Sequence, residues 1–362
     1  MLMKRLISLF LILSLLLCGC TVEIVLGPEE TAVSTVNRGD NTLAVHFIDV
    51  GQADCALIEC GGAFMLIDGG NRDDSQKVIS YLQSCGVEEL EAVICTHAHE
   101  DHVGGLPAVL AVYPTKQVFA PTKTYASNVF DDFLYYVDQQ GLEVTIPEPG
   151  TRFALYGDAQ LGGAEITILG PVKSYAETND TSIVTRVEFY NHTFLFTGDM
   201  EVTAENDMLD YWGDAQEWAG DVLKVGHHGS STSSGYRFVY ETDPEYAIVS
   251  CGKDNSYGHP HREIVKLYQD ADIPMLRTDE LGTILAVSDG HEITITWENQ
   301  NAEPDSIERA ENPATTYIGN KNSKTLHAPS CTSLPKESNR VYFDSYADAI
   351  KAGFSPCNSC IG

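Results

Sequence analysis

Hydrophobic and polar positions divide this chain into one apolar run, a long stretch of short elements and a polar tail. Leu6–Leu17 is an apolar stretch of 12 residues behind Lys4 and Arg5, too short to cross a bilayer comfortably. After a polar, aperiodic segment, β-type runs begin near Thr42: Leu43–Val50, Cys55–Cys60 and Ala63–Asp68, separated by Gly and Asp. Asp74–Cys85 reads as a helix, Leu90–Thr96 as a buried strand, and a further helix is expected from Val103 to Tyr113. Tyr125–Gln140 places Val129, Phe130, Phe133, Leu134 and Val137 at helical spacing, the stripe of a core-facing helix. Strand patterns return at Leu142–Ile146, Arg152–Leu155, Ala164–Leu169, Ile183–Tyr190 and Thr193–Thr197. Helices and strands then alternate to Trp297. This order suits an α+β sandwich, two β-sheets face to face with helices outside.

Composition and charge narrow the classes. A chain of 362 residues with 43% hydrophobic and 20% charged residues is neither disordered nor collagenous. Its formal net charge is −30, which repels phosphate and argues against binding nucleic acid by bulk electrostatics. The acidic excess stops at the C-terminus. In residues 315–362, Lys321, Lys324, Lys336, Arg340 and Lys351 outnumber Glu337, Asp344 and Asp348.

The expected organisation is a signal peptide over 1–20, a linker over 21–40, a main domain over 41–298, an acidic linker over 299–314 and a small domain over 315–362. Leu17-Cys18-Gly19-Cys20 resembles the lipobox of bacterial lipoproteins. Cys20, preceded by the small Gly19, is the expected lipidation site. That implies a membrane partner, through a lipid anchor on the extracellular face of the cytoplasmic membrane. Cys55, Cys60, Cys85, Cys95 and Cys251 lie in apolar contexts and read mostly as small buried hydrophobes.

The densest chemistry is Thr96-His97-Ala98-His99-Glu100-Asp101-His102. Alternating His97 and His99 can face one centre, and Asp101 with His102 can serve a second a few Å away. Paired metals about 3.5–4 Å apart are a recurring device for hydrolysing phosphodiesters. Asp199 follows a strand and a glycine, where its two oxygens can reach two cations. The pattern resembles the metallo-β-lactamase superfamily, whose metal motif is H-x-H-x-D-H. The resemblance extends through Phe47-Ile48-Asp49-Val50-Gly51-Gln52-Ala53-Asp54, Leu66-Ile67-Asp68-Gly69-Gly70 and Phe196-Thr197-Gly198-Asp199-Met200. It continues in Leu223-Lys224-Val225-Gly226-His227-His228-Gly229-Ser230 and Tyr257-Gly258-His259-Pro260-His261, and is closest to the ComEC-type competence protein branch.

The resemblance implies an αββα fold and two divalent metals, zinc or manganese. His97, His99, Asp101, His102, Asp199 and His228 are the implied ligands. His227 is assigned to the substrate oxyanion as donor or general acid, beside Asp101 and Asp199 as catalytic groups. Asp54 and Asp68 are expected to orient ligands, and Asn179 and His259 to serve the ligands or the substrate. His261 has the weaker claim to the cleft. One departure matters: no histidine stands about twenty residues before Asp199, where Asn179 falls, and His192 lies inside a strand pattern and reads as structural. An oxygen-richer site shifts preference from zinc toward manganese.

In the tail, His327-x3-Cys331 and Cys357-x2-Cys360 form a candidate structural zinc set. The segment resembles the small metal-binding domain of the Ada DNA-repair protein, with His327 in place of one of four cysteines. A domain of this size builds little core and gains from a metal staple. The expected function is metal-dependent hydrolysis of phosphodiesters, with extracellular DNA as substrate. A cell-envelope phosphodiester such as teichoic acid phosphocholine, and a non-catalytic metal-dependent binding role, are the alternatives.

Overall fold

The computed structural model describes residues 41–156, 162–213, 218–302, 317–329, 331–343, 346–357 and 360–361. The expected signal peptide, Cys20, the 21–40 linker and most of the 299–314 linker lie outside them. No helix among the described residues is long and apolar enough to cross a membrane.

Two sheets form the body. The first holds β1 (Leu43–Phe47), β2 (Ala56–Cys60), β3 (Ala63–Ile67), β4 (Ala92–Ile94), β5 (Val118–Phe119) and β6 (Val144–Thr145). The second holds β7 (Arg152–Leu155), β8 (Ala164–Gly170), β9 (Val184–Phe189), β10 (His192–Phe196), β11 (Val222–Lys224), β12 (Tyr246–Val249) and β13 (Met275–Arg277). The chain then returns to the first sheet with β14 (Ile284–Ser288) and β15 (Ile293–Trp297). The orders are β15-β14-β1-β2-β3-β4-β5-β6 and β13-β12-β11-β10-β9-β8-β7.

Period-2 burial explains why the sheets face each other. Val45, Phe47, Ile58, Met65 and Ile67 of one sheet meet Ile166, Val187, Phe194 and Phe196 of the other in a single apolar layer. Phe47 stacks on Phe196 at 5.8 Å between ring centroids. The opposite face of the first sheet is covered by α1 (Ser75–Ser84), α2 (Glu100–Val103), α3 (Leu106–Val112) and α4 (Asn128–Gln139). Phe130, Phe133 and Val137 of α4 point into that core, as their spacing requires. The second sheet is covered by α5 (Val202–Trp212), α6 (Tyr236–Thr242) and α7 (Arg262–Asp270), with the one-turn α8 (Thr278–Leu281) after β13.

The helix expected from Val103 to Tyr113 is two helices. It starts at Glu100, so Asp101 and His102 lie inside its first turn, and it breaks at Gly104-Gly105. The break has a steric cause. A Cβ on Gly105 would overlap the backbone carbonyl of Gly69, so this turn lies flat against the loop after β3. The buried strand at Leu90–Thr96 is shorter, with continuous ladder pairing over Ala92–Ile94 and an isolated bridge from Leu90 to Thr115. Its last residues, Cys95 to His99, leave the ladder to carry the histidines.

The tail forms a third sheet, ordered β18-β16-β17-β19, from β16 (Tyr317–Asn320), β17 (Thr325–His327), β18 (Arg340–Phe343) and β19 (Ser355–Pro356), with helix α9 (Tyr346–Lys351). It is docked on the body. Tyr317 meets Tyr240 of α6 edge-on at 5.1 Å, and Leu326, Phe354 and Ile361 share the apolar cluster of α6 and α7.

Candidate metal centre

Strands β3, β4, β10, β11 and β12 send their carboxyl ends to one edge of the sandwich, where the loops that follow them gather the polar residues. The cluster is buried: His97 and His102 have no exposed surface, and Asp199 and His228 almost none. Three residues around it, Asp68, His227 and His228, have φ of 58°, 49° and 54°. A left-handed backbone costs a residue with a Cβ roughly 1–2 kcal/mol, and such strain concentrates where side-chain direction matters.

The best-formed nest is made by Asp101, His102, Asp199 and His228, whose candidate ligand atoms all lie within 4.8 Å of one another. His102 Nε2 is 3.2 Å from Asp199 Oδ1, and His228 Nε2 is 3.3 Å from Asp101 Oδ2 and 3.6 Å from Asp199 Oδ2. Each histidine is oriented from behind. His102 Nδ1 lies 2.8 Å from Asp68 Oδ2, which also accepts the Thr96 hydroxyl. His228 Nδ1 donates to the Ser250 carbonyl at 2.9 Å, with Asp54 Oδ1 at 3.3 Å. Both rings therefore carry a proton on Nδ1 and turn a bare Nε2 inward. His102 Nε2, His228 Nε2 and Asp199 Oδ1 are buried atoms with no hydrogen-bond partner. Three inward-facing acceptors without a donor are costly in a protein interior, and a divalent cation satisfies them together. The residues present thus fit the metal that the histidine motif implies.

The electrostatics carry the same demand. Burial works against charge on His102 and His228, yet the surrounding carboxylates, Asp199 foremost, hold His102 well above its ordinary value and His228 up to about 10. Burial likewise opposes ionisation of Asp199, but His102, His228 and His97 hold it well below the usual carboxylate range. Positive charge is required here, and a cation supplies it without a proton.

His97 and His99 form a second, more open half. His97 Nε2 lies 3.1 Å from His99 Nδ1 and 3.8 Å from Asp199 Oδ2. Burial, then His102, hold His97 well below its ordinary value, which favours a neutral ring. Asp199 thus stands between the halves, one oxygen toward His102 and the other toward His97, His227 and His228. Gly198 makes the approach possible. Its φ is +52°, and a Cβ there would sit 2.9 Å from Thr96 and from Ser182.

His227 stays outside the nest, its Nε2 3.7 Å from Asp199 Oδ2. Its Nδ1 faces the Thr232 hydroxyl at 3.0 Å and the Asn179 amide nitrogen at 3.5 Å. The same Nδ1 lies 3.5 Å from Glu201 Oε1, so a donor, a hydroxyl and a carboxylate all hold this edge of the ring, and Nε2 is the nitrogen nearer Asp199. Burial lowers this histidine's proton affinity, which suits a neutral hydrogen-bond donor better than a charged acid. Asn179 also donates to Glu201 Oε1 at 3.1 Å, and its own Oδ1 is buried without a partner on this side of the site.

His259 accepts from Gln52 Nε2 at 3.2 Å; burial, then His228, push it down to about 4. His261 ties the Ser231 amide at 2.8 Å to the Tyr257 carbonyl at 3.3 Å, a structural brace. His192 bonds the Ser288 hydroxyl at 2.7 Å, away from the cluster.

Several participants are not obvious in the sequence. Lys224 is buried against Asp54 and reaches the Gly198 carbonyl at 3.4 Å. Glu201, Thr232 and Gln52 position His227 and His259. Lys224 sits in an apolar strand, where a lysine is costly unless paired, and that was the available signal. The others are ordinary surface-type residues and carried none.

At the tail, His327, Cys331, Cys357 and Cys360 are all buried and their ligand atoms lie within 4.8 Å of one another. His327 Nδ1 is 3.3 Å from Cys331 Sγ and 3.9 Å from Cys360 Sγ. Those separations bracket the edges of a zinc tetrahedron, about 3.5–3.8 Å for bond lengths near 2.0–2.3 Å. The cluster fits zinc. All eight described cysteines are free thiols.

A two-sheet sandwich with a histidine–carboxylate nest at the ends of its strands defines a metallohydrolase scaffold. Residues 48–253 match the metallo-beta-lactamase superfamily, and the chain belongs to it. Residues 308–361 match the metal binding domain of Ada. Among curated proteins, the chain is 31% identical over 260 residues to ComE operon protein 3 of Bacillus subtilis, covering 66% of this chain and 32% of that one. It is 28% identical over 247 residues to competence protein ComA of Neisseria gonorrhoeae, covering 68% and 32%. It is 31% identical over 234 residues to recombination protein 2 of Haemophilus influenzae, covering 62% and 26%. The alignments span a third or less of the length of these relatives. Among solved structures, the metallo-beta-lactamase fold protein YhfI of Bacillus subtilis aligns with a TM-score of 0.47 at 14% identity, covering 68% of this chain and 100% of that one.

Proposed function

We propose that this metallohydrolase cleaves phosphodiesters, with DNA as its substrate, at the outer face of the cytoplasmic membrane to which a lipid on Cys20 holds it. The observation that supports this most is the shared carboxylate. Asp199 stands between the His102–His228–Asp101 nest and the His97–His99 pair, the arrangement suited to two cations on one phosphate. Divalent metals held there supply Lewis acidity toward a phosphate oxygen and lower the pKa of water. Asn179 Oδ1, a buried oxygen where a third imidazole is absent, favours manganese beside zinc.

The chain's own groups orient and donate. Asp68 and Ser250 fix the tautomers of His102 and His228 so that each presents Nε2. His227, with Nε2 on the Asp199 side and outside the nest, is the group that donates to the phosphate oxygen or to the leaving oxygen as charge develops. His259, neutral above pH 4, offers a second N–H.

The test is hydrolysis by the purified chain, supplied with manganese or zinc, of linear DNA beside bis(p-nitrophenyl) phosphate. Cleavage of both, lost in Asp199→Ala, is expected. Cleavage of the small diester alone redirects the substrate to an envelope phosphodiester. No turnover with either metal refutes the enzymatic reading in favour of binding alone.

A further inference from the structure

The loop between β12 and α7 carries a surface that the metal centre does not use. Tyr257 is 67% exposed, more than any other large hydrophobic residue among those described. It is nonetheless held in place. Asn255 Oδ1 accepts the amides of Tyr257 at 3.1 Å and His259 at 3.0 Å, and Asn255 Nδ2 donates to the carbonyls of Gly252 and His259. His261 grips the Tyr257 carbonyl from the other side. An exposed aromatic ring on a braced loop is presented rather than stranded.

Its position relative to the centre is informative. Tyr257 stacks on His259 with centroids 5.6 Å apart and planes 23° apart, and His259 stacks on His228 at 6.2 Å and 22°. Three rings thus form a staircase from the metal nest to solvent, and the outer face of the last is free for a planar group.

Charge singles out the same loop. From residue 41 to 302, every described Lys and Arg forms an ion pair with a carboxylate except Lys253 and Arg262. Both are exposed, and they flank Tyr257 in the chain. Asp254 is exposed next to Lys253, and Glu263 next to Arg262. In a protein of net charge −30, a segment whose two unpaired cations offset its two carboxylates is locally neutral and repels phosphate less than the rest of the surface.

We propose that this loop is a nucleotide subsite: the base adjoining the scissile phosphate stacks on Tyr257, and the next phosphate along the strand meets Lys253. This rests on the phosphodiesterase reading and gives its substrate a class, a single strand whose bases are accessible. Stacking on an aromatic ring tolerates any base, and backbone cations add sequence-independent, salt-sensitive affinity.

The test is binding to the metal-loaded full chain by fluorescence anisotropy. The probes are a labelled, hydrolysis-resistant phosphorothioate oligothymidylate and an abasic strand of the same length and charge. Oligothymidylate is expected to bind about tenfold more tightly. Tyr257→Ala should erase that difference, and Tyr257→Phe should keep it. Lys253→Gln should weaken both strands alike and flatten the salt dependence. Equal affinity of the wild type for the two strands, no binding of either, or an equal loss on both in Tyr257→Ala overturns the proposal. Turnover assayed alongside separates the two readings. Base-dependent binding without hydrolysis removes the phosphodiesterase and leaves the subsite. Hydrolysis with base-independent binding removes the subsite alone.

Discussion

The pair between Lys224 and Asp54 offers the most direct test of how the site is held. Lys224 ends β11, three residues before His227, and Asp54 lies in the loop between β1 and β2, so the bond joins the two sheets. Their side chains are 4% and 8% exposed, so solvent screens the pair little. Asp54 also faces His228 Nδ1 at 3.3 Å and His102 Nδ1 at 3.8 Å. Burial alone would raise its pKa, and Lys224, then His228, bring it below the ordinary value. Lys224→Met keeps the length of the stem and removes the charge. It leaves a buried carboxylate short of a partner, which costs about 3–5 kcal/mol in comparable pairs. For a domain of this size, each kcal/mol lowers Tm by roughly 2–4 °C. Urea denaturation of the wild type, Lys224→Met, Asp54→Asn and the double variant completes a cycle. The double variant is expected to be less destabilised than the sum of the single ones, by more than about 1 kcal/mol. A Lys224→Met cost below about 1 kcal/mol, or additive single effects, would refute the view that this bond clamps the sheets together.

Other expectations follow from neighbouring groups. Asp68→Asn removes the carboxylate behind His102 and should weaken metal binding about 10–100-fold, read by competition with a chelating indicator, while far-UV circular dichroism stays unchanged. Burial pushes Glu205, which accepts the amides of Ser234 and Gly235, up to about 8 from an ordinary 4.5. The folded state therefore holds this proton more tightly than the unfolded one. The contribution is complete below about pH 4.5 and is lost as pH rises through 8. The stability of the wild type relative to Glu205→Gln should fall between pH 5 and 9, and a constant difference would contradict this. Cys331→Ser should release the tail's zinc, measured by metal analysis. It should also speed proteolysis within 317–361, because so small a sheet relies on its metal and its Tyr317–Tyr240 contact.

Much of this protein was legible in the chain. Strand and helix periods depend on local burial, so the α+β sandwich and the stripe of α4 could be read from spacing. The cluster from His97 to His102 and the tail's His-x3-Cys and Cys-x2-Cys pairs are contiguous or nearly so. Their chemistry is carried by residue types that are costly without a role. Tertiary structure decided what depends on residues far apart. It brought Asp199 and His228 to Asp101 and His102, and set Asp68 and Ser250 behind the two histidines. It also broke the expected Val103–Tyr113 helix at Gly104-Gly105, because the backbone of Gly69 lies against that turn. It seated the tail on α6, where sequence suggested only a linked domain. It left Lys253 and Arg262 unpaired beside Tyr257 among the described residues. A single sequence records which groups are present; which of them lose their partners to burial and distance is settled only when the sheets close.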